Sequence, residues 1–288
     1  MAVTLYRVSA FPNEGKGGNE AGVVLDADHL SEQAMLDIAK RVNYSETAFV
    51  MASKRADFAV RFFTPMVEVP LCGHATIATF NLMRNIGLVK PGSYRVETKE
   101  GLLEVMVESA NVWLELSLPT FGKKVALDTL ADILEVSKEA FVSQSPQIVS
   151  CGIPEIFVGV KSREILHQLN PKEASIKALS KELGVYGIYV YTEDTIDTEA
   201  HAHGRNFIPA VGIYEESATG TASGALACYL QQHTMQKRNL FVFEQGHVLH
   251  KPSCITVKLQ IEDNTIHHVV VGGKMRFIDK IIGYNPNA

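Results

Sequence analysis

Three ionisable side chains stand where they could move a proton. Glu46 lies in NYSETAFV, immediately before an apolar strand. His74 lies in LCGHAT, and Glu216 precedes the ATGTASG stretch that also holds Thr221. A carboxyl group taken out of water holds its proton more tightly and can exchange it near neutral pH. Taken singly, each residue has an ordinary reading: Glu46 as a solvated strand-end charge, His74 as a packed histidine, Thr221 as a helix cap. Beside them, Gly73 and Gly220 each open a helical stretch. The first amides of a helix have no internal partner and carry the positive end of its dipole. A substrate carboxylate is a natural acceptor for them, and glycine lets it approach closely. Together these residues suggest proton transfer on a carbon near a bound carboxylate.

The elements that position them follow from apolar patterning. Residues 75–86 place Ala75, Ile77, Ala78, Phe80, Leu82, Met83 and Ile86 around most of a helix, and 222–230 are almost wholly small or apolar. A helix apolar on most sides is buried on most sides. Residues 31–42 differ: Met35, Leu36, Ile38, Ala39 and Val42 make one face, and Ser31 suits the N-cap. Short β-rich runs such as VTLYRVSAF, ETAFVMA, FAVRFFTP, GIYVYT and CITVKLQI fill both halves. The expectation is an α+β chain of two pseudo-symmetric lobes, each a curved, mostly antiparallel sheet wrapped around a central helix. The N-terminal lobe is expected over 1–120, with the final segment 276–288 a candidate to pack back on it, and the C-terminal lobe over 121–288. The linker is expected near 118–126.

An internal repeat supports two copies of one unit. RFFTP (61–65) and RNFIP (205–209) each precede a glycine-opened helix and then a Glu-Xaa-Gly or related turn. Gly73 and Gly220 are 147 residues apart, as are Glu97 and Glu244. Facing lobes would bring the two helix starts to one anion site.

At 288 residues the chain suits two domains, and its 46% apolar and 20% charged content is that of a soluble globular protein. A net charge of −5 offers no basic field for nucleic acid or an anionic membrane. The opening residues lack the features of a signal peptide, no apolar run reaches membrane-spanning length, and Cys72, Cys151, Cys228 and Cys254 form no CxxC pair. A reduced, cytoplasmic protein is expected. GGNEAG (17–22) is not a GxGxxG after a strand, and no P-loop occurs. His201/His203 and His267/His268 lack a third ligand at useful spacing and are read as exposed polar residues.

The stretches GGNEAGVVLDADHLSEQAMLDIA, NYSETAFV, TPMVEVPLCGHAT, ESATGTASG and FEQGHVLHKPS resemble the phenazine-biosynthesis PhzF-like family, part of the diaminopimelate epimerase superfamily. They extend over nearly the whole chain in the expected order. The resemblance implies a two-lobed fold and isomerase chemistry that needs no metal, flavin or nucleotide. Its acid–base glutamate matches Glu46, its cleft histidine His74, and its early asparagine Asn19. Ser45 accompanies Glu46 in the same block as a substrate-binding candidate, with Gly73, Gly220 and Thr221. The family's aspartate falls at Glu216 and its serine at Thr221. Glu216 in place of aspartate, and Ser217 and Glu20 in place of proline, are departures. A homodimer is a further expectation that the resemblance carries.

Superfamily racemases use two opposing cysteines. Cys72 occupies the first position, but Ser217 occupies the second and is a poor acid–base group without an activating partner. The favoured expectation is a Glu46-centred proton shift on a small anionic metabolite, with His74 and Glu216 assisting. A Cys72-dependent racemase or epimerase and a non-catalytic metabolite-binding protein are the alternatives.

Overall fold

The structure is a computed structural model that describes residues 2–234 and 237–284. The chain divides into two compact units. The first comprises the residues through Glu115 together with those from Gly272 on, and the second runs from Leu116 to Val271. Unit one contains, in order, β1 (Val3–Ala10), β2 (Asn19–Val24), α1 (Glu32–Val42), β3 (Glu46–Met51), β4 (Phe58–Phe63), β5 (Glu68–Val69), α2 (Gly73–Asn85), β6 (Gly92–Glu97), β7 (Leu102–Val107) and β8 (Val112–Leu116). Unit two follows with β9 (Thr120–Lys124), α3 (Leu127–Leu134), β10 (Gln147–Ser150), β11 (Pro154–Gly159), α4 (Arg163–Gln168), α5 (Glu173–Leu183), β12 (Ile188–Thr192), β13 (Ala202–Ile208), β14 (Ile213–Glu216), α6 (Gly220–His233), β15 (Leu240–Gln245), β16 (Ser253–Glu262) and β17 (Thr265–Gly273). The last strand, β18 (Met275–Tyr284), returns to unit one.

The two units use one wiring plan. In unit one, β1 pairs antiparallel with β18 and β2, β2 pairs parallel with β3, β3 antiparallel with β4, β4 parallel with β6, and β6 antiparallel with β7. In unit two, β10 pairs antiparallel with β9 and β11, β11 parallel with β12, β12 antiparallel with β13, β13 parallel with β15, and β15 antiparallel with β16. The match includes every parallel step, each of which a helical crossover makes possible. Each unit is therefore a mostly antiparallel sheet around one buried helix. The segment read as a linker holds β9, and residues 285–288 of the expected returning segment lie outside the described residues.

The repeat's landmark glutamates do the same work in both units. Glu97 accepts hydrogen bonds from Ser53 Oγ (2.6 Å) and Arg55 Nη1 (3.2 Å), tying down the loop ahead of β4. Glu244 accepts from the amides of Ile196 (2.9 Å) and Asp197 (2.7 Å), tying down the loop ahead of β13.

Helix burial follows the sequence pattern. In α1, the Ser31 hydroxyl accepts from the Ala34 amide, Asn43 closes the helix in the left-handed region, and Met35, Ile38 and Ala39 are buried. In α2, His74 through Met83 are all buried, and the helix packs against β1, β2, β3, β7 and β18. Two of its polar members reach backbone oxygens: Thr76 Oγ1 donates to Cys72 O and Asn81 Nδ2 donates to Ile77 O and Gly273 O, while Thr79 Oγ1 and Asn81 Oδ1 are buried without a hydrogen bond. Ile86, expected inside, is the C-cap residue and is exposed. In α6, Ala222 through Gln231 are buried against β10, β11 and β16. A Cβ at Gly224 would lie 2.3 Å from Leu116 Cδ1, so any larger residue requires that leucine side chain to shift. The opposite face of the second sheet carries α3, α4 and α5 over Ile156, Val158, Ile188 and Val190. Among the described residues no helix is long and apolar enough to cross a membrane.

Candidate active site

In unit one, Glu46 opens β3 and His74 lies in the first turn of α2. His74 Nε2 lies 3.4 Å from Glu46 Oε2 and 3.4 Å from Ser45 Oγ. On the other edge of the ring, Nδ1 lies 3.4 Å from Asn19 Nδ2 and 3.4 Å from Cys72 Sγ. Five of the residues singled out from sequence, Asn19, Ser45, Glu46, Gly73 and His74, therefore share one locality, together with Cys72. The His74 side chain is 5% exposed and that of Glu46 is 13% exposed. Glu46 Oε2 is buried and makes no hydrogen bond. A buried carboxylate oxygen without a donor is costly in a purely structural role and useful in one that takes up a proton.

No side chain caps α2, whose N-cap residue is Cys72. The Gly73 position is open enough for a Cβ to meet only Leu114 Cδ2, at 3.7 Å. Glu20, the charge that replaces proline, is half-buried on β2 and acts on Tyr44, whose hydroxyl is pushed above its usual range by burial first and then by that carboxylate. Glu46, Cys72 and His74 each present a ligand atom, all within 4.8 Å of one another. Carboxylate, thiol and imidazole form a donor set that a divalent ion such as zinc accepts.

In unit two, Glu216 ends β14, and Thr219 is the N-cap residue of α6, again with no side-chain cap on the helix. Thr219 Oγ1 donates to Glu216 Oε2 at 2.6 Å. Gln245 Nε2 donates to Glu216 O (2.7 Å) and to Thr219 Oγ1 (3.2 Å), while its Oε1 accepts from the Thr219 amide (3.2 Å). Asn206, opposite Glu216 in the β13–β14 register, donates from Nδ2 to Thr219 Oγ1 at 3.1 Å. Gly220 is buried and Thr221 half-buried at the start of α6. The hydroxyl that reaches Glu216 is thus that of Thr219, which sequence reasoning passed over in favour of Thr221. Asn206 and Gln245 were also missed as site residues, although both lie inside the repeat landmarks RNFIP and EQG.

Ser217 is buried, and its backbone oxygen accepts from Ser253 Oγ at 2.9 Å. None of the four cysteines is in a disulfide. The histidine pairs fare differently from expectation: His203 is fully buried, with Nδ1 3.0 Å from Glu244 Oε2 and Nε2 3.2 Å from His167 Nε2, while His267 and His268 are exposed. β13 is buried along its whole length, and the buried Glu244 gives His203 a partner there.

Comparison with known proteins gives one answer. The sequence profile of the family described as phenazine biosynthesis-like protein (PhzC-PhzF) matches residues 8–278. An uncharacterized isomerase of Clostridium acetobutylicum is 34% identical over 93% of this chain and 94% of its own. The uncharacterized isomerase YddE of Escherichia coli K12 is 31% identical over 95% of each chain. A crystal structure of a Bacillus anthracis PhzF-family phenazine biosynthesis protein is 29% identical, covers 98% of both chains and superposes with a TM-score of 0.90. A hydroxyproline epimerase from Agrobacterium vitis, with trans-4-hydroxy-L-proline bound, shares the fold at a TM-score of 0.58 and 13% identity, over 97% of this chain and 91% of its own.

Proposed function

Because the chain belongs to the phenazine biosynthesis-like family, we propose that it is a cofactor-independent isomerase that shifts a proton on a small carboxylate-bearing metabolite, with Glu46 as acid and base. The names of the curated relatives support the reaction class. The observation that carries the role of Glu46 is its buried Oε2, free of hydrogen bonds and 3.4 Å from His74 Nε2 beside the uncapped start of α2.

The chemistry needs no group beyond these side chains. The Glu46 carboxylate takes the proton from the carbon beside the substrate carboxylate. The C–H electron pair moves into that carboxylate and makes an enediolate. The free amides at a helix start stabilise the growing charge more than they stabilise the ground state. Protonated Glu46 then delivers its proton to the far end of a conjugated double bond, the electron pair moving along with the double bond to complete the isomerisation; return to the same carbon restores the substrate and is seen only as exchange with solvent. His74, with Nε2 3.4 Å from Glu46 Oε2, offers the carboxyl group a cationic or donor neighbour as its charge changes between the two transfers. Glu216, held by Thr219 and Gln245 at the start of α6, is the further carboxyl group that the family resemblance assigns to the reaction.

The test is a screen of small carboxylic acids, cyclic amino and hydroxy acids among them, for deuterium incorporation at carbon in heavy water. Exchange by the wild type and a loss of about 10²- to 10⁴-fold in Glu46→Gln, with ligand binding retained, is the expected result. Undiminished exchange in that variant removes Glu46 from the role.

A further inference from the structure

Behind Glu216 lies a second carboxyl group that no sequence motif marks. Glu155, on β11, is 2% exposed and sits on the face of the sheet that carries α6, two residues from Phe157, whose ring stacks on Tyr229 of that helix. Its Oε1 accepts from Asn206 Nδ2 at 3.4 Å. The same amide nitrogen reaches Thr219 Oγ1 at 3.1 Å, and Thr219 Oγ1 donates to Glu216 Oε2 at 2.6 Å. An unbroken chain therefore runs from Glu155 through Asn206 and Thr219 to Glu216.

We propose that Glu155, held uncharged on the strand layer beneath α6, is a positioning residue that fixes the Glu216 carboxylate through Asn206 and Thr219. This rests on reading Glu216 as part of the isomerase site.

Two leftover atoms speak for the neutral form. Glu155 Oε2 and Asn206 Oδ1 are both buried and make no hydrogen bond. Asn206 Nδ2 already donates to Oε1, so a proton on the Glu155 carboxyl brings one more donor to a layer in which two buried acceptor oxygens have none, whereas an ionised Glu155 brings none. The surroundings agree. Burial pushes the Glu155 carboxyl up to about 8, against the pull of the Asn206 amide and with the help of the charge on Glu216. Tyr189 on β12 is a further titratable neighbour among the described residues, its hydroxyl pushed up by burial first and by Glu155 second. Tyr189 donates to Gln245 Oε1 at 3.3 Å, and Gly204 is what leaves room for it, since a Cβ there would sit 2.2 Å from the Tyr189 oxygen. Among the described residues no cation acts on Glu155, so the Asn206 amide is what offsets a second negative charge in the layer. Above pH 8 that charge would turn the Asn206 amide away from Thr219 and weaken the hold on Glu216 and on a carboxylate at the start of α6.

Difference infrared titration of the whole protein from pH 5 to 10 reads this directly. A carboxylic acid carbonyl band should disappear near pH 8 in the wild type, be missing in Glu155→Gln, and titrate at lower pH in Glu216→Gln, where the neighbouring charge is gone. No such band, or an unchanged midpoint in Glu216→Gln, overturns the proposal. The kinetic arm is heavy-water exchange against pH. Wild type should lose its hold on substrate above pH 8 as a rise in KM. Glu155→Gln, isosteric with the neutral acid, should rescue the roughly tenfold or larger loss expected of Glu155→Leu and lack the alkaline rise. A Glu155→Gln profile that keeps the wild-type limb refutes the positioning role. Should the wild type exchange none of the acids, the isomerase reading falls, and the infrared arm still decides the coupling of Glu155 to Glu216.

Discussion

The His74 ring stands between two chemistries: its Nε2 faces the Glu46 carboxylate at 3.4 Å while its Nδ1 faces the Cys72 thiol at the same distance. Either neighbour could serve as the proton carrier, so the ring's two edges correspond to the proposed Glu46 route and to the alternative thiol route. Glu46 is favoured because its buried oxygen has no hydrogen bond. The thiol route needs a second group, and the matching position holds Ser217.

Cys72→Ser separates the two. Serine keeps a donor and acceptor beside His74 Nδ1 but cannot carry a proton at neutral pH. Heavy-water exchange should fall by less than about tenfold if Glu46 does the chemistry. A loss comparable with that of Glu46→Gln, which general acid–base catalysis puts at about 10²-fold or more, would return the thiol to the centre of the reaction.

Metal should inhibit rather than assist. Glu46, Cys72 and His74 present their ligand atoms within 4.8 Å of one another, so zinc added to the protein should occupy the very carboxylate that must pick up a proton. Exchange should survive dialysis against a chelator and fall on titration with zinc, with Cys72→Ser needing more zinc for the same effect. Loss of exchange on chelation, restored by zinc, would contradict a metal-free reaction.

Acid should destabilise the protein through its histidines. His167, His201, His233 and His247 are each held below the ordinary histidine value, burial being the leading cause. The unfolded chain therefore takes up protons near pH 6.5 that the folded chain refuses until the pH is lower, and stability falls as the pH drops through that window. Denaturant midpoints measured between pH 7.5 and 5 should decline. His247→Gln should flatten the decline by about one proton, because His247 Nδ1 is buried without a hydrogen bond. An equal slope in wild type and variant would show that His247 is not among the groups responsible.

Much of the fold was legible because its signals are periodic. The all-round apolarity of 75–83 and 222–230 marked both central helices, and the recurrence of RFFTP and RNFIP marked the strands ahead of them. What stayed hidden were elements whose identity depends on a distant partner. β9 is exposed along its whole length and carries no strand pattern, and it is a strand because β10 pairs with it. The site divides the same way. Glu46 and His74 stood in motifs. Asn206 and Gln245 lay in repeat landmarks that were read as signposts rather than as chemistry. Glu155, between apolar residues in IPEIF, gave no sign, because a lone acid in a strand takes its meaning from the amide two strands away.

The return of β18 to unit one bears on how the polypeptide reaches this state. β1 is flanked by β18, and the Arg7–Asp279 contact within that pair spans 272 residues. During synthesis β1 leaves the ribosome with one flank bare and must wait for every residue of unit two before its neighbour exists. Long-range pairings of this kind slow folding, and an open strand flank invites other chains. Premature termination anywhere before β18 would therefore produce a sticky fragment rather than a working half, and chaperone demand should fall on the first unit, although it is the first to be made.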